Sequence, residues 1–422
     1  MRRAMILAWA MVVICCYAAT RQILAQSQTP MQSVGQRAQA ERAKITLVVR
    51  DQSGAAIPNA EVQIQPIGIS LRTDMDGAVL FTVPLGTYEL AVSDSGFRVA
   101  NERLVVREAK AQTIDVVLRL APTGSPIVVT APLPPRKVAI TFDDLPAFSS
   151  DALNGTQIVE QNERLLATLQ REKIPAIGFV NAAKLYKWGQ VDERIKALQL
   201  WLDDGFQLGN HTYSHESLNK VGLKAWEENV VEGEPLLKLL LAQHGMTLEY
   251  YRPPYLDMGA DLLTRRQAEQ FLASRGYTVA PITIDVGDWE FAPVYFDAKR
   301  KGDTAEESRV VSAFLDYANA SLDYAEKFSK QIIGYEPKQV ILLHDSELEA
   351  DHFADLVGVM RKRNYSFITL DDALDDSAYN LPNDYAGGGT SWLDQWAITE
   401  GKMPPNEPAL PAWIAQRLAT LH

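Results

Sequence analysis

Five short stretches of this chain carry the side chains able to do chemistry: Thr141-Phe142-Asp143-Asp144, His211-Thr212-Tyr213-Ser214-His215, Arg252-Pro253-Pro254-Tyr255, Asp285-Val286-Gly287-Asp288-Trp289 and Leu342-Leu343-His344-Asp345. They supply a carboxylate pair, a His-x3-His pair, an arginine, a further acid beside an aromatic and a late histidine behind an apolar run. Two imidazoles and one carboxylate make a three-ligand metal site with coordination positions left open. A second carboxylate and a separate histidine add a base and an acid. Together they are what a mononuclear metal hydrolase needs. Each piece also has a plainer reading. Adjacent carboxylates at a strand end cap the next helix, a lone histidine pair is often structural, an arginine forms a surface ion pair worth little, and His344 in the core is satisfied by Asp345.

Taken in order, the stretches resemble the five motifs of the polysaccharide deacetylases, the NodB-homology family of carbohydrate esterases, over roughly Lys137 to Leu374. The resemblance implies that Asp144, His211 and His215 hold a divalent metal and that Asp143 is the base. Arg252 would keep Asp143 ionised and oriented. The main-chain N–H of Tyr255 would face the developing oxyanion. His344 would protonate the departing amine, with Asp288 holding its imidazole and raising its pKa. Trp289 and Leu342 would wall a pocket for the acetyl methyl. Family members often have glycine after the tyrosine, whereas this chain has Leu256. Zinc is the metal this donor set favours, and cobalt, nickel or iron(II) also suit it. The implied reaction removes N-acetyl groups from amino sugars in a chitin-like or peptidoglycan polysaccharide, releasing acetate. The alternatives are an esterase or amidase with the same site on another acyl substrate, and a catalytically silent glycan-binding protein.

The elements that must position these residues follow from the rest of the sequence. At 422 residues the chain exceeds one ordinary domain. Its 53 acidic against 41 basic side chains offer no stripe for phosphates, so no nucleic-acid partner is expected. Arg2 and Arg3 before the apolar run Met5 to Ala19 read as an export signal over residues 1–25, with Ala19 and Ala25 as candidate cleavage points and an uncleaved anchor as the alternative. Both cysteines, Cys15 and Cys16, fall inside it, so a mature chain has no thiolate ligand or disulfide, and its metal must take nitrogen and oxygen. A periplasmic or extracellular address is expected, with no membrane partner for the mature chain.

Residues 26–43 read as a flexible spacer, polar and Gln- and Ala-rich. Residues 44–120 read as a small antiparallel β-sandwich, from alternating runs at Ile45–Val49, Glu61–Ile64, Val79–Val83, Tyr88–Val92 and Ile114–Leu118 separated by Gly, Pro, Asn and Asp. Thr73-Asp74-Met75-Asp76-Gly77, Val83-Pro84-Leu85-Gly86-Thr87-Tyr88 and Gly96-Phe97 in this part resemble the carboxypeptidase regulatory-like modules. Residues 121–136 form a Pro-rich linker. Over 137–375, apolar strands at Val138–Phe142, Ala176–Val180, near Tyr277–Ile284, Val340–Leu343 and Phe367–Thr369 alternate with amphipathic helices. That alternation gives a parallel sheet covered by helices, and the family resemblance implies a distorted (β/α) barrel. Asp143, Asp144, Asp288 and His344 then fall at the carboxyl ends of strands, where such sheets gather their sites. A helical insertion is expected over about Thr304 to Ile333. The tail, 376–422, is expected to pack on the catalytic domain through Trp392, Trp396 and Trp413.

Overall fold

The structure is a computed structural model, and it describes residues 42–94, 96–120 and 135–421. The expected export signal, and nearly all of the expected spacer and linker, lie outside the described residues. Among the described residues no helix is long and apolar enough to cross a membrane.

The N-terminal module is two facing sheets. Strands β1 (Arg42–Asp51), β4 (Ala78–Pro84) and β7 (Gln112–Leu118) form one, in the order β4-β1-β7; β2 (Glu61–Gln65), β3 (Ile69–Arg72), β5 (Gly86–Ser93) and β6 (Ala100–Val106) form the other, in the order β3-β2-β5-β6. Alternate residues of β1, from Ala43 through Ile45 and Leu47 to Val49, are buried, the half-buried pattern of a sandwich strand. One pairing departs from the expected antiparallel set. β7 runs parallel to β1, because the chain crosses over from β6 in the opposite sheet and returns in β1's direction.

The second module is built on eight parallel strands: β8 (Arg136–Leu145), β9 (Ala176–Val180), β10 (Gln207–Asn210), β11 (Tyr250–Tyr251), β12 (Thr278–Val279), β13 (Ile284–Asp285), β14 (Gln339–His344) and β15 (Tyr365–Ile368). Their order is β12-β11-β10-β9-β8-β14-β13, and β15 pairs with the first half of β8. β12 and β13 do not pair, so the curled sheet stays open as a distorted barrel. Residues 138–145 of β8 are all buried, as a strand covered on both faces requires. Phe142 meets Trp201 and Phe353 edge-on, at centroid distances of 5.8 and 5.5 Å, and this packing fixes the strand that bears the carboxylate pair.

The insertion is a single helix, Thr304–Ile333, begun by the Asp303 side chain on the Glu306 amide and ended at Gly334 in the left-handed region. Its buried stripe of Val310, Phe314, Ala318 and Leu322 faces the helix Asp288–Lys301, where Phe291 and Phe314 meet at 5.7 Å. The long helix therefore packs against the element whose first residue is Asp288. In the tail, Trp396 is buried against Tyr379, and Arg309 stacks 3.9 Å from the Trp413 ring centroid.

Candidate active site

Adjacent strand ends deliver the chemistry-bearing residues to one place. Asp143 on β8 and His344 on β14 are register partners. His211 and Arg252 are the first residues beyond β10 and β11. They continue the ladder through amides donated to the Val180 carbonyl (3.0 Å) and the Asn210 carbonyl (3.0 Å). Between Phe142 and Leu145 the β8–β9 register slips, and within that bulge Asp144 adopts φ 71°. A bulge re-aims side chains, which lets two consecutive carboxylates serve one site from different directions. The His-x3-His interval fits a helix face, but the structure forms a loop instead, with Thr212 at φ 67° and His215 at φ 60°. The loop is tied by Thr212 Oγ1, which accepts the His215 amide at 3.0 Å, and by Asn210 Oδ1, which accepts the Thr212 amide at 2.8 Å. Among the described residues, non-glycine residues in the left-handed region include Asp144, Thr212, His215, Tyr255 and Leu256, all at this site. Such conformations cost about 1–3 kcal/mol each and persist where the surroundings over-determine them.

Asp144, His211 and His215 present one ligand atom each, all within 4.8 Å of one another. His211 Nδ1 meets the Arg252 carbonyl at 2.8 Å, which assigns the proton to Nδ1 and leaves the Nε2 lone pair free. Burial first, then the neighbouring His215, pushes His211 well below its ordinary value; burial lowers His215 as well, so both rings are neutral at neutral pH. Burial pushes Asp144 upward, but Lys184, His215 and His211 outweigh it and hold the carboxyl well below the usual carboxylate range. Asp144 Oδ1 is buried and accepts no hydrogen bond, although Lys184 Nζ stands 3.3 Å away. An ionised carboxylate oxygen left without a hydrogen bond beside two neutral imidazoles is the donor set a divalent cation takes. The cluster fits a divalent metal.

Asp143 is 3 % exposed, and Arg252, 0 % exposed, lies 3.5 Å from its Oδ2. Burial pushes the Asp143 carboxyl up to about 6 while the guanidinium pulls it down. Arg252 is aimed by Thr141, whose Oγ1 accepts from Nη2 at 2.9 Å, and by the Phe179 ring 4.8 Å beneath it. Across the site, Asp288 grips His344 twice: its Oδ2 accepts the His344 amide at 2.7 Å and its Oδ1 meets Nδ1 at 2.9 Å. Burial alone would lower the imidazole, but Asp288 by charge and hydrogen bond lifts it to about 9, so His344 is protonated at neutral pH. Asp345, by contrast, turns away and accepts from Gln161 Nε2 at 2.8 Å. Tyr255 is about half exposed at φ 56°, its ring 4.6 Å from His215. Leu342 is buried two residues before His344. Trp289 is 44 % exposed and also lines a small cavity with Asp285, Tyr317 and Tyr324.

Three further neighbours of the candidate residues escape sequence reasoning. Lys184 follows β9 and donates to the Asp144 and Ala147 carbonyls at 3.1 and 3.4 Å, supporting the bulge. Thr141 reads as one more strand residue, and Phe148 packs edge-on to His344 at 5.2 Å. No spacing rule identifies them, because each acts on a residue that only the fold brings near. His244 and His352, which no motif includes, pair with Asp203 and Asp355 away from the site.

Residues 130–275 match the family model described as Polysaccharide deacetylase, and residues 44–119 match that of the Carboxypeptidase regulatory-like domain. The chain carries a polysaccharide deacetylase domain, preceded by a carboxypeptidase regulatory-like domain. It is 23 % identical over 304 residues to a chitin deacetylase of a Pestalotiopsis species, spanning 71 % of this chain and 83 % of that one. It is 24 % identical over 161 residues to a peptidoglycan-N-acetylglucosamine deacetylase of Bacillus cereus, covering 38 % of this chain and about half, 49 %, of that relative. Among solved structures, the chitin deacetylase from the fungal pathogen Colletotrichum lindemuthianum aligns with TM-score 0.40 at 20 % identity, over 61 % of this chain and 94 % of that one.

Proposed function

We propose that this chain is an exported, zinc-dependent hydrolase that removes N-acetyl groups from amino sugars of a polysaccharide, releasing acetate and leaving a free amine. The observation that carries this reading is the division of labour at the site. A ligand-ready Asp144, His211 and His215 cluster stands beside a separately anchored base, Asp143 with Arg252, and a separately anchored acid, His344 with Asp288.

A zinc ion held by Asp144, His211 and His215 would polarise the acetyl carbonyl and make a water acidic enough to lose its proton near neutral pH. Asp143 accepts that proton at its carboxylate, and Arg252 keeps the acceptor ionised and aimed. The Tyr255 main-chain N–H donates to the carbonyl oxygen as it gains charge. An amide anion is too poor a leaving group, so the nitrogen must be protonated as the C–N bond breaks. Imidazolium His344 gives that proton from Nε2, its Nδ1–H held by Asp288. Trp289 and Leu342 line the position of the acetyl methyl.

Acetate release from N-acetylglucosamine oligomers and from peptidoglycan, measured with the purified zinc-loaded chain beside Asp143→Ala, tests the reading. Acetate from the wild type alone supports it and ranks the polymers. Bound zinc with no acetate from either polymer overturns it in favour of another acyl substrate or a glycan-binding role. Export is tested separately by the N-terminal residue of protein recovered from the periplasm or medium.

A further inference from the structure

The Tyr255 loop is held from outside by a segment lying beyond all five motifs. Tyr255 and Leu256 both take φ 56°, where L side chains are strained. The next residue, Asp257, is 6 % exposed; its Oδ2 accepts the Ser217 hydroxyl, and the Gly389 amide faces the same carboxylate. Gly389 belongs to a tail segment pinned at several points. The Gly387 amide donates to the Gly259 carbonyl at 3.0 Å, Asn219 Nδ2 to the Gly387 carbonyl at 2.9 Å, and Arg265 Nη1 to the Tyr385 carbonyl at 2.7 Å. Beyond it, the Trp392 amide donates to the Ile282 carbonyl at 2.8 Å.

This pinned segment runs against the Tyr255 peptide without space for a side chain. A methyl on Gly389 would overlap the Tyr255 carbonyl oxygen, with the carbonyl carbon at 3.0 Å. A methyl on the adjacent Gly388 would meet only Asp257 Oδ1, at 3.8 Å. The Tyr255 carbonyl cannot swing toward the tail, and the Leu256 amide is tied to the Pro253 carbonyl at 3.0 Å. The Tyr255–Leu256 peptide plane is therefore held from its C-terminal side, and the left-handed Tyr255 backbone links that plane to the Pro254–Tyr255 plane that bears the Tyr255 N–H.

We propose that Gly389 is a positioning residue for the deacetylation, clamping the Tyr255 peptide so that its N–H stays aimed at the reacting carbonyl oxygen. The proposal rests on the deacetylase reading, since it gives the Tyr255 amide its task. It also explains how Leu256 is tolerated in a left-handed position: the tail holds the backbone where a glycine would otherwise be needed.

The test compares wild type, Gly389→Ala, Gly388→Ala and Ser217→Ala as full chains loaded with zinc. Each is measured for kcat and KM of acetate release, for zinc content, and for hydrogen exchange over residues 253–258. Misplacing one donor predicts a fall in kcat of about a hundredfold for Gly389→Ala, with KM and zinc content unchanged and faster exchange in the loop. Gly388→Ala stays within about twofold of wild type. Equal kcat in Gly389→Ala and wild type overturns the proposal, as does a kcat loss explained by lost zinc. If Gly389→Ala does not fold, Ser217→Ala decides: it removes one of the hydrogen bonds that hold Asp257, leaving those of Gly389 and Asn219, without adding bulk, and it should cost about tenfold in kcat at constant KM. An unchanged kcat there overturns the clamp. If the wild type releases no acetate, the deacetylase reading fails on its own, and the clamp is judged by exchange alone: protection lost in Gly389→Ala but kept in Gly388→Ala supports it, and equal protection overturns it.

Discussion

The turn carboxylates of the sandwich and the carboxylate pair at the end of β8 are treated in opposite ways. In the sandwich, Asp51 Oδ1 accepts the Ser53 amide at 2.8 Å and the Ala55 amide at 2.9 Å, and Asp74 Oδ1 accepts the Asp76 and Ala78 amides, both at 2.9 Å. These are exposed turns in which the backbone consumes the acceptors. At the end of β8, Asp143 and Asp144 are buried, and the Oδ1 of each accepts nothing. A buried acceptor left unmade costs about 1–3 kcal/mol, and these two stand beside His211, His215 and Arg252, where a metal ion and a proton could use them. The turn acids of the sandwich and the candidate site acids of β8 differ in what already occupies their lone pairs.

The largest effect is expected from removing an unoccupied acceptor. Asp144→Ala or His211→Ala deletes a ligand, and zinc affinity should fall by more than about a hundredfold, beyond what losing a supporting partner costs. Zinc content after gel filtration checks this without any substrate. Retention of one zinc per chain by both variants would mean that the cluster is not the metal site.

Next in size are the groups that, on the proposed reading, handle protons without holding metal. Asp143→Ala and His344→Ala should each keep zinc and lose about 10²- to 10⁴-fold in kcat. Zinc lost along with activity would show that the division between ligands and proton carriers is misdrawn.

A smaller and more specific effect belongs to Asp288. Asp143 must be ionised and His344 protonated, so activity should rise as pH passes about 6 and fall as it passes about 9. Asp288→Asn removes the charge that lifts His344, and the alkaline limb should move down toward or below 6.5 while the acid limb changes little. The stability linkage has the same sign. A histidine raised from 6.5 to about 9 contributes stability that is fully present below pH 6.5 and is lost as pH rises through about 9. The stability gap between wild type and Asp288→Asn should therefore narrow from neutral pH to pH 10. A pH-rate profile unchanged by Asp288→Asn would remove Asp288 from His344's control.

How far these assignments were legible in the sequence depended on the length of the apolar runs beneath them. β8, β9 and β14 are continuous hydrophobic stretches and read directly as strands. β10 and β11 contain only Gln207–Asn210 and Tyr250–Tyr251, too short for any period, yet they deliver His211 and Arg252. β3 and β6 escaped because Ile69–Arg72 is short and Ala100–Val106 buries only its second half. The His-x3-His interval was compatible with a helix face as much as with the loop that the positive φ at Thr212 and His215 imposes. The contacts of Lys184, Thr141 and Gly389 were invisible because their partners, Asp144, Arg252 and Tyr255, are neighbours only in the folded chain. Local pattern exposed the candidate site groups; the residues that position them needed coordinates.

The smallest effect tests the sandwich side of the comparison. Asp74→Ala removes the acceptor of two turn amides, which then turn to water because the site is exposed. The loss is that of a solvent-accessible hydrogen bond, about 0.5–1.5 kcal/mol, borne by the β3–β4 turn. Thr73 beside it remains anchored, its hydroxyl donating to the Ile57 carbonyl at 2.7 Å and accepting the Ala60 amide at 2.9 Å, so the module should stay folded. Thermal unfolding should register a drop of a few degrees in the sandwich transition, with zinc content, kcat and KM equal to wild type. Loss of kcat in Asp74→Ala without loss of zinc would show that a turn acid of the accessory module reaches the chemistry, and the separation between the two kinds of carboxylate would fail where it now looks safest.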